Sequence, residues 1–584
     1  MTKEVKQKVN KQKKILSERE KLEKVDKTKK IKFRNKIKYI FNMAGFTYIN
    51  TENQHIKIGD RIIEIDFVLL YKNIMLICED TMTKTDNIKD HARNKKEAFD
   101  EIDKNFSSFY KWLYDKFSDY QDIISECDLD LREVKFLYFS KEELNFTESD
   151  YRLFQKLKFV EPSVLTYFYK MAKCIKRSIK YEIFKFLDLT NKNIGIDQTE
   201  SSKKISATII SPEYTTGINN KVKKVSFMMS ADMLIKNSYV LRKDNWEDSS
   251  LLYQRLIQEQ KIKDIRKFLL KKKEAFYNNI IVALPDDVEF HSPKENKVID
   301  LENIGKEHLV CNMTIPDRMN SICVIDGQHR IYAHHEGGEN DKDETKMSEI
   351  RKKLHLLVTG LIFPKGMSDI EKIKIQSEIF LDINFNAKSV SPDVLLHIRM
   401  VKDPISDLGL ARSIIEKLNK EQIFLNKFEM SLLDNGKIKI ASIIKYALRY
   451  LITITPGEKK NLYSFWKGDK NALQNMNDNA LEEYKNFCKE NIVTYFKAIK
   501  KNFKKEWDDI DSKLLSVISL NGFIIAYNKL INMEGICNFD HYDNLFSKLK
   551  IDFSKNRFPY TSSQYAKFSE EILDQIKNTH TPDI

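Results

Sequence analysis

The spacing of apolar residues changes at about residue 403, and this change limits what the chain can fold into. Upstream of it, short apolar runs such as Ile62–Leu70 and Ile74–Thr81 have the length and composition of β-strands. Downstream, apolar residues recur at three- and four-residue spacing, which predicts helices over Ala411–Asn419, Ile438–Ile452, Leu481–Phe503 and Lys513–Ile531. The sequence therefore predicts a multidomain chain of the α+β and α/β classes with a helical C-terminal domain.

The length of 584 residues leaves room for about three or four domains, since a domain typically has about 100 to 200 residues. An apolar helical face begins at Phe33 and ends at Gly45, which marks the start of the first domain. We expect a basic tail over 1–30, a first domain over 31–190, a polar linker over 191–204, a second domain over 205–402 and a helical domain over 403–584.

Composition excludes several classes of protein. The chain is 42% hydrophobic and 32% charged, which excludes a wholly disordered chain. Its longest apolar runs, such as Leu354–Phe363, reach about half of the ~20 residues that cross a bilayer, and no apolar segment follows the basic N-terminus as in a secretory signal. The seven cysteines are isolated, which suits a reducing compartment and argues against a structural zinc site. We expect a cytoplasmic protein that does not associate with membranes.

The positive charge is concentrated at the N-terminus. Residues 1–38 contain 16 Lys and Arg against five Asp and Glu, so they supply most of the net charge of +14. Such a segment could follow DNA phosphates by releasing counterions, or it could be a solvated helix that keeps the protein soluble. It lacks the aromatic residues that stack on bases. Both interpretations stay open.

The motif Asp326-Gly327-Gln328-His329-Arg330 stands between an apolar strand and a helical run. Gly permits a strained turn, the helix start offers backbone N–H groups to an anion, and Arg is a bidentate phosphate donor. Asp326 could hold a ribose hydroxyl, a metal or the ring of His329, and His329 could donate to a phosphate or move a proton. The motif therefore predicts a phosphate-bearing ligand, with an ordinary surface turn as the alternative.

Two neighbouring features are interpreted without a functional role. His334 and His335 follow the motif, and because no Cys or acidic partner has metal-ligand spacing, we expect solvated helix residues. The polar run Glu336–Thr345 is expected to be a mobile loop. Helix starts are predicted at Ser368, which forms a capping box with Glu371, and at Ser391-Pro392-Asp393.

The motif and four further segments resemble the DGQHR-domain family, which includes the DndB-like and DpdB-like proteins associated with DNA modification. The segments are Val225–Ala231, Tyr253–Arg255, Phe276–Asp286 and Ile379–Pro392. The resemblance implies a core like that of ParB and sulfiredoxin, with an NTP as cofactor. Gln254 and Arg255 would face Asp326, Gln328 and Arg330 across one site, with Asn384 in its wall. His329 replaces a Gln of more distant relatives, so their hydrolysis does not carry over directly.

Two acids of the first domain form a second candidate site. A turn at Lys72–Asn73 pairs residues whose numbers sum to 145, which places Asp66 opposite Glu79 and Glu64 opposite Thr81. Opposed carboxylates are unfavourable unless something compensates them, and a divalent cation such as Mg²⁺ or Mn²⁺ would do so. An inert hairpin with solvated acids is the alternative.

This helix–strand–strand–helix order resembles the PD-(D/E)xK nuclease fold. The resemblance implies that Asp66 and Glu79 hold the metal and that a Lys two residues after the Glu activates water. Thr81 occupies that position here, so Lys84, or Lys95 on the next helix, would have to substitute.

Two functional hypotheses follow from these features. In the first, the chain is an enzyme of a bacterial DNA-modification or phage-defence system, in which a nucleotide-binding domain gates or powers an attached nuclease-like domain. In the second, it is a non-catalytic DNA-binding regulator, since resemblance to DndB implies operator binding and repression. Expected partners are DNA and other proteins of the operon, and a homo-oligomer stays open. The facing acids favour the first hypothesis, and Thr81 favours the second.

Overall fold

The computed structural model of the protein describes residues 18–83, 87–195, 202–211, 222–242, 246, 254, 256–274, 276–304, 307–384, 400, 403–430, 434, 436–561 and 563–577. Its contacts divide the chain into two compact units. Unit 1 contains residues 1–144 and 156–165, and unit 2 contains residues 145–155 and 166–584. The mixture of sheets and helices confirms the predicted fold class, and the described part from residue 403 onward is helical.

Unit 1 is built on helix α1 (Glu18–Ala44) and a five-stranded sheet. Phe33, Ile37, Ile40 and Phe41 bury one face of α1, and Gly45 follows the helix with a φ of +93° that only Gly adopts without strain. The predicted helical face is therefore confirmed. The strands of unit 1 are β1 (Thr47–Asn50), β2 (His55–Ile58), β3 (Arg61–Glu64), β4 (Phe67–Tyr71), β5 (Ile74–Thr81), β6 (Glu133–Ser140) and β7 (Leu157–Val160).

The sheet has the strand order β1-β4-β5-β6-β7, while β2 and β3 form a separate two-stranded hairpin. β1, β4 and β5 are antiparallel neighbours, and β6 and β7 continue parallel to β5. Phe67 pairs with Cys78 and Tyr71 with Ile74, so the predicted register between β4 and β5 is confirmed. The single strand predicted over 62–70 is wrong, because the chain leaves one sheet at Glu64 and enters the other at Phe67. Glu64 therefore pairs with His55 instead of Thr81.

Three helices follow β5 in unit 1. Helix α2 carries its buried residues Ile88, Ala92, Phe99 and Ile102 on one face, at the spacing of an amphipathic helix. It is the second helix of the predicted helix–strand–strand–helix order. The helices are α2 (Ile88–Lys104), α3 (Phe106–Lys116) and the single turn α4 (Gln121–Ile124).

The first half of unit 2 carries an eight-stranded sheet with the order β10-β14-β11-β15-β9-β8-β13-β12. Its central strands β14, β11 and β15 are rich in β-branched and other apolar residues and are mostly buried. These strands are β8 (Ser202–Ile210), β9 (Lys223–Ser230), β10 (Ser238–Tyr239), β11 (Ile280–Ala283), β12 (Glu289–His291), β13 (Leu309–Pro316), β14 (Ile322–Asp326) and β15 (His355–Ile362). Since β8 begins at Ser202, the last residues of the predicted linker belong to this sheet.

Helices accompany that sheet. The capping box predicted at Ser368 is confirmed, because Ser368 Oγ accepts from the N–H of Glu371 and the Glu371 carboxylate accepts from the N–H of Ser368. The start predicted at Ser391-Pro392-Asp393 lies outside the described residues. The helices are α5 (Glu148–Leu153), α6 (Pro162–Ile175), α7 (Ile179–Phe186), α8 (Ala231–Asn237), α9 (Glu259–Lys272), α10 (Gln328–Tyr332), α11 (Glu344–Lys353) and α12 (Asp369–Asn384).

The second half of unit 2 packs helices around one large apolar core, which includes Trp507 and a stack of Tyr495 on Tyr527. The helices are α13 (Asp407–Lys420), α14 (Ile440–Ile443), α15 (Arg449–Ile452), α16 (Leu462–Phe465), α17 (Lys470–Gln474), α18 (Asp478–Asn502), α19 (Lys504–Asp508), α20 (Val517–Glu534), α21 (Phe539–Phe546) and α22 (Tyr565–Lys577). A π-helical segment, Ile444–Leu448, joins α14 to α15. Among the helices that the structure describes, none combines the length and apolar composition needed to cross a membrane.

Candidate functional site

The Asp-Gly-Gln-His-Arg motif lies at the C-terminal end of the buried strand β14, where Gly327 turns the chain into the short helix α10. Gly327 has a φ of +100°, and a Cβ built on it would lie 3.0 Å from Cγ1 of Ile280 in the neighbouring strand β11. The backbone conformation therefore favours Gly, and a Cβ at this position would crowd the Ile280 side chain. The predicted succession of strand, turn and helix is confirmed.

Asp326, His329 and Arg330 are the partly exposed side chains of the motif, and together they form its edge toward solvent. Asp326 Oδ2 accepts a hydrogen bond from Arg330 Nη2 at 2.7 Å, and Arg330 Nε is buried without a hydrogen-bond partner among the described residues. His329 Nε2 accepts from the backbone N–H of Gln258 at 3.0 Å, so the neutral ring carries its proton on Nδ1. An anion at this edge would compete with Asp326 for Arg330.

The two glutamines of the predicted pocket are buried and bonded to the protein itself. Gln328 Oε1 accepts from Arg242 Nε at 3.1 Å, and Gln254 Nε2 donates to the carbonyl of Val324 in β14. Arg255 lies outside the described residues, and Asn384 ends α12 with its side chain also outside them. Gln254 therefore lies near the motif, as the resemblance implies, but its amide fixes the strand that carries the motif.

Arg242 is the centre of a buried polar network that the sequence did not reveal. Its side chain is fully buried, and Nη1 donates to the Tyr167 hydroxyl at 3.0 Å and to the Glu182 carboxylate. Tyr167 also donates to Glu182, and the guanidinium lies 5.1 Å from the ring centre of Tyr332. Burial raises the pKa of Tyr332 to about 12, so this phenol stays neutral. The network anchors Gln328, and through it the start of α10, to α6 and α7.

The prediction that His334 and His335 are solvated is wrong. Both are buried, and Nδ1 of each is hydrogen-bonded to a backbone carbonyl at 2.9 Å. Burial lowers the pKa of His334 to about 4 and that of His335 to about 3, so both rings are neutral at pH 7. Two buried arginines, Arg266 and Arg351, donate to the carbonyl oxygens of this segment and satisfy the C-terminal end of α10.

The loop predicted over Glu336–Thr345 extends from 336 to 343, and its acidic residues are bonded to other parts of unit 2. Glu336 receives Lys180 Nζ at 2.7 Å and the Tyr181 hydroxyl at 3.2 Å. Asp341 receives Lys176 Nζ at 2.7 Å and Arg266 at 3.0 Å. These long-range ion pairs fix the segment, and helix α11 already begins at Glu344.

The predicted acid pair of unit 1 belongs to a larger buried cluster. Asp66 and Glu79 are both buried, and so is Asp80, which directly follows Glu79 in β5. Arg34 of α1 bridges three carboxylates: Nη2 lies 2.8 Å from Asp66 Oδ1, Nε donates to Asp80 and Nη1 donates to Glu52. The second oxygen of Asp66 accepts from the backbone N–H of Asp80 at 2.9 Å. We name Glu52, Asp66, Glu79 and Asp80, with Lys30, Arg34 and Lys95, the acid cluster.

Glu79 is the least compensated carboxylate of the acid cluster. Lys95 Nζ of α2 lies 2.9 Å from its Oε1, whereas Oε2 is buried without a hydrogen-bond partner among the described residues. Burial, and then the negative charge of Asp66, raise the pKa of Glu79 to about 8. His91 of α2 lies close, with Nε2 4.0 Å from Oε1 of Glu79. Glu79 therefore holds a proton at pH 7.

Thr81, two residues after Glu79, holds the turn that follows β5. Thr81 Oγ1 is hydrogen-bonded to Thr83 Oγ1 at 2.8 Å and accepts from the N–H of Thr83. Lys84 lies outside the described residues. Lys95, on the next helix, is the cation that reaches Glu79.

Comparison with protein families decides the identity. The family model named DndB, described as DNA-sulfur modification-associated, matches residues 214–528, which include the Asp-Gly-Gln-His-Arg motif, the central strands and most of the helical core. The chain belongs to the DndB family. No curated protein and no solved structure matches it. As a member of the DndB family, the chain is a protein of a DNA-modification system. The match begins after unit 1, so it leaves the nuclease-like interpretation of that unit a proposal.

One further group of potential metal ligands occurs among the described residues of this DndB-family chain. Single ligand atoms of Glu534, Cys537 and His541 lie within 4.8 Å of one another at the corner between α20 and α21. His541 Nε2 and Glu534 Oε2 already form an ion pair at 2.9 Å. Because these two groups satisfy each other, we assign no metal to them.

Proposed function

We propose that this chain binds DNA and regulates a bacterial DNA-sulfur modification system without cutting DNA. The hydrogen bonds of Asp66 carry the non-catalytic part of the proposal. Arg34 donates to one oxygen of Asp66 and the N–H of Asp80 donates to the other, while Lys95 Nζ lies 2.9 Å from Glu79 Oε1. Arg34 and Lys95 thus compensate the opposed carboxylates where the sequence predicts a divalent cation.

A metal ion fits this arrangement only in part. Mg²⁺ or Mn²⁺ needs several oxygen ligands with near-octahedral geometry. Glu79 Oε2 is a suitable ligand, but both oxygens of Asp66 already accept hydrogen bonds, one of them from Arg34. A cation that bridged Asp66 and Glu79 would therefore have to displace a guanidinium that also binds Asp80 and Glu52.

Helix α1 supports the DNA-binding part of the proposal. Its apolar face begins at Phe33, and Lys27, Lys29 and Lys32 before it are exposed. The lysines therefore lie on a helical extension that unit 1 holds through Phe33 and Ile37. Such a helix can place several cations along a phosphate backbone, and Lys29 would exchange its exposed partner Asp26 for a phosphate.

Binding to a labelled duplex from the upstream region of the chain's own operon tests this proposal, with a scrambled duplex as the control. We expect a tighter complex with the operator fragment and intact DNA after incubation with Mg²⁺ or Mn²⁺. Equal affinity for both duplexes would remove the regulatory role, and absence of binding would remove the DNA-binding role.

We also propose that the edge formed by Asp326, His329 and Arg330 takes the phosphates of an NTP. Arg330 is the donor, because its side chain is partly exposed and its Nη2 is bonded to a partly exposed carboxylate, that of Asp326, which a phosphate can replace. Arg330→Ala should weaken NTP binding by about 1.5–3 kcal/mol, since a charge-assisted donor is removed. We expect the same loss from Arg255→Ala, because the family resemblance assigns Arg255 to the same pocket.

Titration calorimetry with ATP and GTP measures this effect. Arg318→Ala is a matched control, because Arg318 is an exposed arginine that pairs with Asp287 at 2.9 Å. Absence of heat with every NTP on the wild type would overturn the nucleotide site and leave the DNA-binding proposal standing.

The second candidate function is metal-dependent DNA cleavage in unit 1. The observation that favours it is the buried Oε2 of Glu79, which has no partner among the described residues, next to Asp66 and with Lys95 in reach. Asp66 and Glu79 would hold Mg²⁺ or Mn²⁺, which lowers the pKa of a bound water, and Lys95 would orient that water. Mn²⁺ titration of the wild type and of Glu79→Gln would show the site as a loss of binding in the variant.

A further inference from the structure

A cationic and aromatic surface lies next to the motif in unit 2 and has no role in the proposed function so far. It consists of the exposed side of α9 and the residues that follow this helix. We name it the lysine–tyrosine surface, and its members are Lys263, Lys267, Phe268, Lys271, Lys272, Lys273, Phe276 and Tyr277.

The lysines of this surface follow the helix axis. Lys263, Lys267 and Lys271 are spaced four residues apart, so they lie on one face, opposite the buried Ile262 and Leu269. Lys263 pairs with Glu259 at 2.7 Å, whereas Lys267 and Lys271 to Lys273 form no ion pair with described residues. A row of uncompensated cations at the end of one helix favours a polyanionic partner.

The aromatic members are exposed to an unusual degree. The side chain of Tyr277 is 94% exposed, and Phe268, itself 37% exposed, stacks on Phe276 with ring centres 4.6 Å apart. Exposed rings on and directly after a lysine-rich helix offer faces on which a planar group can stack. Cations combined with exposed rings are typical of surfaces that bind unpaired nucleotides.

The surface is joined to the motif at both ends. The N–H of Gln258, directly before α9, donates to His329, and Tyr277 stands three residues before β11, which pairs with the motif strand β14. The helix packs on unit 2 through the buried Arg266, which binds the backbone at His335. The start of α9 is therefore bonded to the motif at His329, and the chain after the helix leads into the strand that pairs with β14.

We propose that the lysine–tyrosine surface binds a strand of DNA, with phosphates on Lys267, Lys271 and Lys273 and one unstacked base on Tyr277. The inference deepens the proposed DNA-binding function and rests on it. It commits to single-stranded or locally unpaired DNA, because a ring that stands out from the surface stacks on a base only when that base has left its duplex partners.

Fluorescence anisotropy with a labelled single-stranded oligonucleotide, and with its duplex as a second arm, tests the inference on the full chain. Tyr277→Ala should weaken single-strand binding roughly 5- to 150-fold, the factor that corresponds to one base stack. Tyr277→Phe keeps the ring and should bind like the wild type. Duplex binding should change much less.

A salt series tests the phosphate contacts. Replacing Lys267, Lys271 and Lys273 together by Ala should reduce the slope of log affinity against log salt by about two, since each contact on a single strand contributes about 0.7. The matched control replaces the exposed Lys459, Lys550 and Lys567 of the helical core by Ala and should leave the slope unchanged.

The outcomes separate the two claims. If the wild type binds neither oligonucleotide, the proposed DNA-binding function fails. If the wild type binds and Tyr277→Ala binds equally well, or if Tyr277→Ala and Tyr277→Phe lose the same affinity, the stacking role of Tyr277 is overturned while DNA binding stands. An unchanged salt slope in the triple Lys variant would overturn the phosphate contacts.

Discussion

At the scale of single residues, burial decides which charges of the acid cluster matter. Glu79 differs from its neighbours because one of its oxygens has no partner among the described residues. Its pKa of about 8 lies well above the ordinary value of 4.5. The folded chain therefore keeps a proton that the unfolded chain has already released near pH 4.5.

This difference predicts a pH dependence of stability. Because the folded state binds the extra proton, the stabilising contribution of Glu79 is fully present below about pH 4.5 and is lost as the pH rises through about 8. The wild type should lose on the order of a few kcal/mol across this window relative to Glu79→Gln, which has no proton to release. Urea unfolding at a series of pH values measures it, with the exposed Glu142→Gln as the control. Parallel pH curves for the wild type and Glu79→Gln would contradict the assignment.

Arg34 gives the second prediction at this scale. Arg34→Met removes the cation shared by Asp66, Asp80 and Glu52 and leaves buried carboxylates without compensation. We expect a loss of about 3–5 kcal/mol in the free energy of unfolding, the usual cost of breaking a buried pair from one side. Lys32→Met, on the exposed side of the same helix, should change stability by less than about 0.5 kcal/mol. Similar values for the two variants would show that Arg34 does not neutralise the cluster.

At the scale of elements, the strand, turn and helix of the motif can be predicted from its sequence. The arginines that hold these elements in place cannot. An apolar run, an Asp-Gly pair and a polar helical start are enough to predict β14, Gly327 and α10. Arg242, Arg266 and Arg351 lie far from the motif in sequence, so no local pattern connects them with it. His334 and His335 are buried beside Arg266 and Arg351, which donate to the carbonyl oxygens of their segment, so a local interpretation as solvated residues fails.

A comparison of Ala substitutions at Gly327 and Gly338 distinguishes the cost of backbone strain from the cost of steric crowding at the motif. Gly327→Ala combines an unfavourable φ with a Cβ at 3.0 Å from Ile280, whereas Gly338→Ala has a similar φ of +80° and open space around its Cβ. We expect a cost of about 1–2 kcal/mol for Gly338→Ala. Gly327→Ala should cost roughly 1–3 kcal/mol more because the Ile280 side chain must shift to make room for the added methyl group. Thermal unfolding of both variants measures the difference, and equal losses would show that Ile280 does not restrict the turn.

In unit 1, the hydrophobic pattern of the sequence is enough to predict the pairing of two strands but not the point where the chain changes sheets. The register between β4 and β5 follows from two apolar runs around a short turn, and it holds from Phe67 to Tyr71. The break after Glu64 is not visible in the pattern, because Ile65 continues the apolar run while the chain changes sheets at Asp66. Arg34 comes from a helix 32 residues before Asp66, so sequence proximity cannot identify it as the partner that replaces a metal.

At the scale of the whole molecule, the predicted DNA contacts are distributed over both units. Deleting residues 1–30 removes most of the lysines before Phe33, including the exposed Lys27 and Lys29, and should weaken DNA binding for all sequences alike. It should also flatten the salt dependence, by roughly 0.9 for each duplex phosphate that these lysines neutralise. Filter binding over a range of salt concentrations measures this slope. An unchanged slope would show that the basic segment does not contact DNA phosphates and would favour its role in solubility.

We expect this DndB-family chain to act on DNA without cutting it. Incubation of the purified chain with supercoiled plasmid DNA, modified or unmodified, in Mg²⁺ or Mn²⁺ tests this most directly, with Asp66→Ala and Glu79→Ala as companion variants. We predict that the wild type and both variants leave the plasmid supercoiled while still binding it. Metal-dependent nicking by the wild type that disappears in Asp66→Ala and Glu79→Ala would contradict this expectation and establish the acid cluster as a nuclease site.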